Sequence, residues 1–238
     1  MRLVFRTRLL PAFVAVGLVL PATAAAQSTG GASAPEPQPE QAPQARPASG
    51  VALVASPRAY LGRRATLTGT VPRRARGRTV RVQRFDEVAR RWRSEARTVV
   101  GRTGRFSVSW SPQALGQQRI RATLQRGRSA SVTTASPEVS VRVYEPGMAT
   151  WYGPGLYGNM TACGQELTKE VVGIAHKSLP CGTLVEVSYR GRSLVVPVVD
   201  RGPYAKGMTW DLTSAAAEQL GFAETARIGA LVQPAPAP

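Results

Sequence analysis

The stretch Leu194-Val195-Val196-Pro197-Val198-Val199-Asp200-Arg201-Gly202-Pro203 decides how this chain is read. Six apolar residues, four of them β-branched, suit a buried strand. The run delivers one carboxylate to its end, and the Arg201-Gly202-Pro203 turn stops it there. Asp200 is therefore expected at a rim, half against an apolar wall and half facing a groove. Arg201, one residue on, is expected to point to the opposite side. Pro197 has no amide hydrogen and marks a free edge or a bulge. Asp200 is one of only three aspartates, and the lone histidine, His176, lies between the only two cysteines, Cys163 and Cys181. Titratable chemistry is concentrated in the last third of the chain.

Moving upstream, the charge changes abruptly. Residues 147–238 hold seven Lys or Arg against seven Asp or Glu, so the whole net charge of +17 lies before them. Residues 51–145 carry twenty arginines, no lysine and five acids. A field of one sign favours polyanions and weakens with salt. The same segment alternates with period two: Phe106, Val108 and Trp110 against Arg105, Ser107 and Ser109; Ile120, Ala122 and Leu124 against Arg119, Arg121 and Thr123; Val139, Val141 and Val143 against Ser140 and Arg142. Each set takes one face of a strand. Residues 52–55, 65–70, 79–85 and 93–100 are further strands between Gly or Pro signals, about seven in all, which reads as an antiparallel sandwich. With Trp92 ahead of a Gly104-Arg105-Phe106 turn, the layout resembles bacterial immunoglobulin-like modules. No His or Cys falls here, and Asp86-Glu87 reads as a solvated turn.

At the start, Arg2, Arg6 and Arg8 precede an apolar run over residues 9–20 and a small-residue stretch ending near Ala26. That reads as a signal peptide over residues 1–26, with an exported protein and no stable membrane anchor after cleavage. Residues 27–50 are rich in Pro, Ala, Gln and Ser and read as a disordered linker, and residues 233–238 as a disordered tail. Residues 51–232 suffice for two small cores.

Five short motifs follow in order in the last third: Ala149-Thr150-Trp151-Tyr152-Gly153, Thr161-Ala162-Cys163-Gly164-Gln165, Ala175-His176-Lys177-Ser178-Leu179-Pro180-Cys181-Gly182-Thr183, Val199-Asp200-Arg201-Gly202-Pro203-Tyr204 and Asp211-Leu212-Thr213. Residues 147–232 thereby resemble the RlpA-like double-psi β-barrels, a secreted family that includes lytic transglycosylases. The expected fold is mainly β: an immunoglobulin-like sandwich over residues 51–145, then a six-stranded double-psi β-barrel over 147–232 with one short helix. The resemblance implies catalytic roles for Asp200 and His176. A Glu is usual where Gln165 stands, and Gln cannot titrate; adjacent Glu166 falls on the other face of an extended segment.

A glycosidic bond needs a proton donor on its bridging oxygen as it breaks. In the family's reaction the sugar's own 6-hydroxyl attacks the anomeric carbon and leaves a 1,6-anhydro end, so one acid/base suffices. Asp200 is expected to fill that role, with His176 orienting it and Gln165 binding sugar. Trp151, Tyr152 and Tyr204 offer flat faces for sugar rings. Asp211 reads as part of the entrance to a helix over residues 214–220, with Thr213 before it and Gly221 after it. Two cysteines in an exported chain pair most simply with each other, bracing the Gln165 loop against the His176 loop. No metal or other cofactor is expected. Expected partners are peptidoglycan glycan strands, with anionic wall polymers on the arginine-rich segment and no nucleic acid. A non-catalytic, expansin-like glycan binder and a barwin-like protein binder stay open beside the enzyme.

Overall fold

The structure, a computed structural model, describes residues 50–125 and 133–234. The expected signal peptide, nearly all of the linker and most of the tail lie outside the described residues. Among the described residues no helix is long and apolar enough to cross a membrane.

Alternation does what period two dictates. Strands β1 (Ala52–Val54), β3 (Ala65–Thr70) and β6 (Arg105–Trp110) form a three-stranded antiparallel sheet. β4 (Thr79–Asp86), β5 (Arg91–Val99) and β7 (Gly116–Gln125) form part of a second sheet, joined by β8 (Thr133–Ala135) on β7. Leu67, Phe106, Val108 and Trp110 of the first sheet meet Val80, Val82, Ile120, Ala122 and Val141 of the second in one hydrophobic cluster. Within the first sheet, Gly69 lets the ring of its partner Phe106 lie across β3: a Cβ there would be 2.2 Å from the Ala52 carbonyl oxygen and 2.3 Å from that ring. β2 (Arg58–Tyr60) adds to the second sheet by parallel pairing with β9.

β9 (Val139–Tyr152) is the longest strand, and it runs through the junction expected at residues 144–147. Its first part pairs with β7, its second with β14 (Ala226–Val232) and β13 (Trp210–Thr213). β10 (Ile174–Ala175), β11 (Leu184–Tyr189) and β12 (Arg192–Asp200) complete the order β13-β10-β12-β11-β14-β9, and the β13–β9 pairing closes six strands into a barrel. A second hydrophobic cluster fills it, with Ile174, Val185, Val187, Val196, Val198, Trp210, Leu212 and Ile228. Pro197 falls where β12 has no β10 partner, since that pairing begins at Val198.

Among the described residues the one α-helix, α1 (Ser214–Leu220), starts where the Thr213 hydroxyl accepts from the Ala216 amide and ends at Gly221 in the left-handed region, φ 68°. Thr213, fully buried, also accepts from the Gly173 amide at 3.0 Å. Between the two clusters sits a polar knot. Buried Glu186 accepts from the Tyr144 hydroxyl at 2.7 Å, from the Arg142 guanidinium and from Gln233 Nε2 at 3.2 Å. Burial, and then the Glu186 bond, push the Tyr144 phenol up to about 12.

Candidate active site on the barrel

β12 delivers Asp200 to the rim, as its apolar run dictates. Oδ1 of Asp200 accepts from the Arg201 amide and from the Ala162 amide, both at 2.8 Å. The second donor comes from the 161–165 loop, which is tied down twice more. Thr161 and Gln165 close the loop through a 2.8 Å backbone bond, and the Cys163–Cys181 disulfide, Cα to Cα 5.7 Å, links it to the turn after His176. The amide of Gly182, next to Cys181, donates to the Val198 carbonyl at 2.8 Å, so the crosslink straddles the strand that carries the carboxylate.

Register decides what shares a face with Asp200. Ala175 on β10 is the partner of Asp200 on one side and of Asp211 on the other. The register shifts by one residue between Ile174 and Ala175, which turns Asp200 away from the core face of Val198, and the Asp200 charge is felt by both Asp211 and Tyr152, so the two carboxylates share one face. On the next strand, Thr150 is the partner of Asp211 and donates its hydroxyl to Oδ1 at 2.6 Å. Two residues further along β9, Tyr152 lies on the same face. Its hydroxyl is buried with no hydrogen-bond partner and feels both carboxylates. Desolvation first, then these charges, push its phenol well above the usual range. Asp211 is also pushed up, by burial first, with Asp200 adding to the rise and the Thr150 bond opposing it.

His176 points elsewhere. It follows Ala175, so its ring takes the opposite face, where it packs on Trp210 with centroids 4.5 Å apart. Nδ1 accepts from the Ser178 and Leu179 amides at 3.2 and 3.0 Å, so the neutral ring carries its proton on Nε2. Burial, then Arg201 and Lys177, hold the imidazole below its ordinary pKa. Among the described residues no hydrogen bond joins the ring to the Asp200 carboxylate; the link is the His176 amide donating to the Asp200 carbonyl at 3.2 Å. A cavity of about 650 Å³ opens on the histidine side, lined by His176, Leu179, Trp210, Gln117 and Gln233 among others, and Asp200 is not part of its wall.

The remaining expected residues lie at the surface. Gln165 and Glu166 are exposed, Trp151 is 41% exposed, and Tyr204 is 80% exposed just past the aspartate turn. The structure thus brings Asp200 together with Tyr152 and the disulfide-braced loop, and leaves the His176 ring apart. Asp211 is the residue that reading the chain missed. Its signal lay in the alternation of Trp210-Asp211-Leu212-Thr213: two apolar core residues interleaved with two polar ones, which turns Asp211 outward. The helix entrance belongs to Thr213, not to Asp211. Among the described residues no three His, Cys, Asp or Glu side chains gather as metal ligands would.

Residues 144–231 match the family described as lytic transglycolase, with a double-psi barrel. The barrel is thus similar to the RlpA-like double-psi β-barrels. It is 46% identical over 81 residues to the probable endolytic peptidoglycan transglycosylase RlpA of Aquifex aeolicus, a match covering 33% of this chain and 36% of that protein. It is 38% identical over 95 residues to the like-named protein of Synechocystis, 39% of this chain and 30% of that one. Against the endolytic peptidoglycan transglycosylase RlpA of Pseudomonas aeruginosa strain PAO1 it is 40% identical over 95 residues, 39% and 28%. The chain therefore spans about a third of the length of these relatives.

Proposed function

We propose that this protein is an exported lytic transglycosylase that cleaves peptidoglycan glycan strands to 1,6-anhydro ends, working in the periplasm or cell wall. One observation carries the reading: Asp200, Asp211 and Tyr152 share a single face of a barrel similar to proteins named endolytic peptidoglycan transglycosylases.

Asp200 is the general acid/base. Two amides hold Oδ1, so the carboxyl is fixed in orientation while Oδ2 meets the bridging oxygen. As the bond from the anomeric carbon to that oxygen breaks, the oxygen takes the proton. The 6-hydroxyl of the same sugar bonds to the anomeric carbon, and its proton returns to the carboxylate. No water is consumed. Asp211, largely buried on the same face, keeps its proton to higher pH than a free aspartate. The Tyr152 hydroxyl, buried beside the two carboxylates, helps to orient Asp200, while Gln165 and Tyr204 offer the sugar an exposed amide and an exposed aromatic face; Trp151 alternates with Thr150 and Tyr152 and takes the other face. His176 acts as a positioning residue, holding the Asp200 backbone through its amide. The arginine-rich segment binds anionic wall polymers and keeps the barrel near its substrate.

A second reading, grip without cleavage, is favoured by the exposed Gln165 where the family usually has a titratable Glu. Incubating the full chain with purified glycan strands and measuring 1,6-anhydro ends by mass spectrometry separates the two. The enzyme releases them and Asp200→Asn does not. Pull-down without release supports the grip, and equal release by Asp200→Asn refutes the assigned acid.

A further inference from the structure

The outward face of the sheet formed by β5, β4 and β7 carries an arrangement that the barrel's chemistry does not use. Val80 and Val82 point into the core, so Arg81 and Gln83 point out. Across the sheet from them, Arg97 is the partner of Arg81, and Arg121 the partner of Gln83. Like charges placed directly opposite each other destabilise a sheet. Arg81 and Arg97 are both exposed, and among the described residues no acid pairs with them or with Arg121.

Arg121 is also held still. Its Nε donates to Gln83 Oε1 at 3.0 Å, and its guanidinium carbon lies over the Trp92 ring, 4.0 Å from the centroid. Trp92 in turn stands edge-on to Phe85 at 5.3 Å, with Arg119 over Phe85 at 4.4 Å. The contrast along the same face is informative. Arg119 is neutralised by Glu138 at 2.9 Å and Glu87 at 3.3 Å, and Arg93 by Asp86. The acids of this sheet gather at the Asp86 end and leave Arg81 and Arg97 bare, with Arg121 between, stacked on Trp92 and within the field of Glu138 but in no ion pair among the described residues. A guanidinium already fixed by stacking loses little freedom when it takes an anion, and its remaining N–H groups present the fork that matches phosphate or carboxylate oxygens.

We propose that Arg81, Arg97 and Arg121 form one binding site for a linear polyanion, with the Trp92-stacked Arg121 as its fixed element. The site gives the wall-polymer reading above a definite address, and it rests on that reading. Solubility alone would spread arginines evenly among acids, whereas here three unpaired ones adjoin and one is immobilised.

The test uses the full chain and long-chain inorganic polyphosphate as the probe, with binding measured across a series of salt concentrations. The variant Arg81→Gln/Arg97→Gln/Arg121→Gln is compared with Arg63→Gln/Arg64→Gln/Arg102→Gln, which removes the same charge from exposed arginines elsewhere. The site variant should lose about tenfold or more in affinity, and its log–log salt slope should fall by roughly 2 to 3, as expected when that many anion contacts go. The comparison variant should change less than about threefold, the size of a diffuse field effect. Equal losses in the two variants would overturn the site while leaving polymer binding intact. No binding by the parent would overturn both. Trp92→Leu should weaken binding with no change in net charge, and an unchanged affinity there would refute the role given to the stack. Circular dichroism of each variant keeps unfolding from passing as lost binding.

Discussion

Replacing Glu186 tests the polar knot between the two hydrophobic clusters. Glu186→Leu removes three acceptor contacts at once: to the Tyr144 hydroxyl, the Arg142 guanidinium and the Gln233 amide. The hydroxyl suffers most, because Tyr144 is 1% exposed and has no water to turn to. A buried donor left unmatched costs about 1 to 3 kcal/mol. Arg142 is 35% exposed at its side chain and recovers much of its solvation, so its loss adds only about 1 kcal/mol. Gln233, at the edge of the sheet, adds little, and the new apolar side chain returns part of the loss. The net expectation is roughly 2 to 3 kcal/mol. For a folded region of this size that lowers the melting temperature by roughly 4 to 12 °C. Chemical denaturation and calorimetry on the full chain measure it directly. Adding Tyr144→Phe to the Glu186→Leu variant should recover part of the loss, since no donor is then stranded; a coupling near 1 kcal/mol is the expected size, or about 1 kcal/mol in a double-mutant cycle. A shift under about 0.5 kcal/mol in Glu186→Leu, typical of an exposed pair, would refute the account of a desolvated knot.

Asp211→Asn should lower the rate of glycan cleavage by about 10- to 100-fold, because a buried carboxyl on the Asp200 face is lost; an unchanged rate would remove Asp211 from the site. Thr150→Val, by deleting the bond that draws Asp211 down, should move the Asp211 titration to higher pH, and NMR of its carboxyl carbon should show it. Gly69→Ala should cost about 3 kcal/mol or more, since the added carbon meets backbone as well as a ring, and denaturation should show it. Paired Cys163→Ser and Cys181→Ser should cost about 3 kcal/mol by opening a closed loop, and should lower activity further by releasing the Ala162 amide from Asp200. His176 has a folded pKa below its unfolded value, so between the two the unfolded chain binds more protons. Stability should therefore fall as pH drops through about 6.5, and His176→Gln should flatten that dependence in urea titrations.

Much of the barrel was legible because its signals are local. The apolar run to Asp200 reads as a strand and is β12, and the Thr213 and Gly221 signals bracket α1 as it stands. The strands around Leu67, Val108 and Ile120 announce themselves by alternation. What escaped depends on partners distant in sequence. β2 is three residues long and exists through its pairing with β9. The domain bounds at 145 and 147 put a boundary at Pro146, yet β9 runs through it in register opposite Gly229. The position of His176 misleads for the same kind of reason: adjacency to the site in sequence says nothing of which face a ring takes, and the single step from Ala175 to His176 turns it away. Asp211 reads as helix furniture until closure of β13 onto β9 and β10 sets it beside Asp200.

Strand β9 belongs to both hydrophobic clusters and has no swivel between them. Its backbone is laddered to β7 on one side of the junction and to β14 and β13 on the other, with Glu186 bolting the seam. A pull on the arginine-bearing sheet is thus loaded in shear along hydrogen-bonded ribbon rather than spent bending a hinge. The strand that carries Val141 and Val143 into one cluster is the same one that carries Thr150 and Tyr152 to the carboxylates, a single backbone serving both cores.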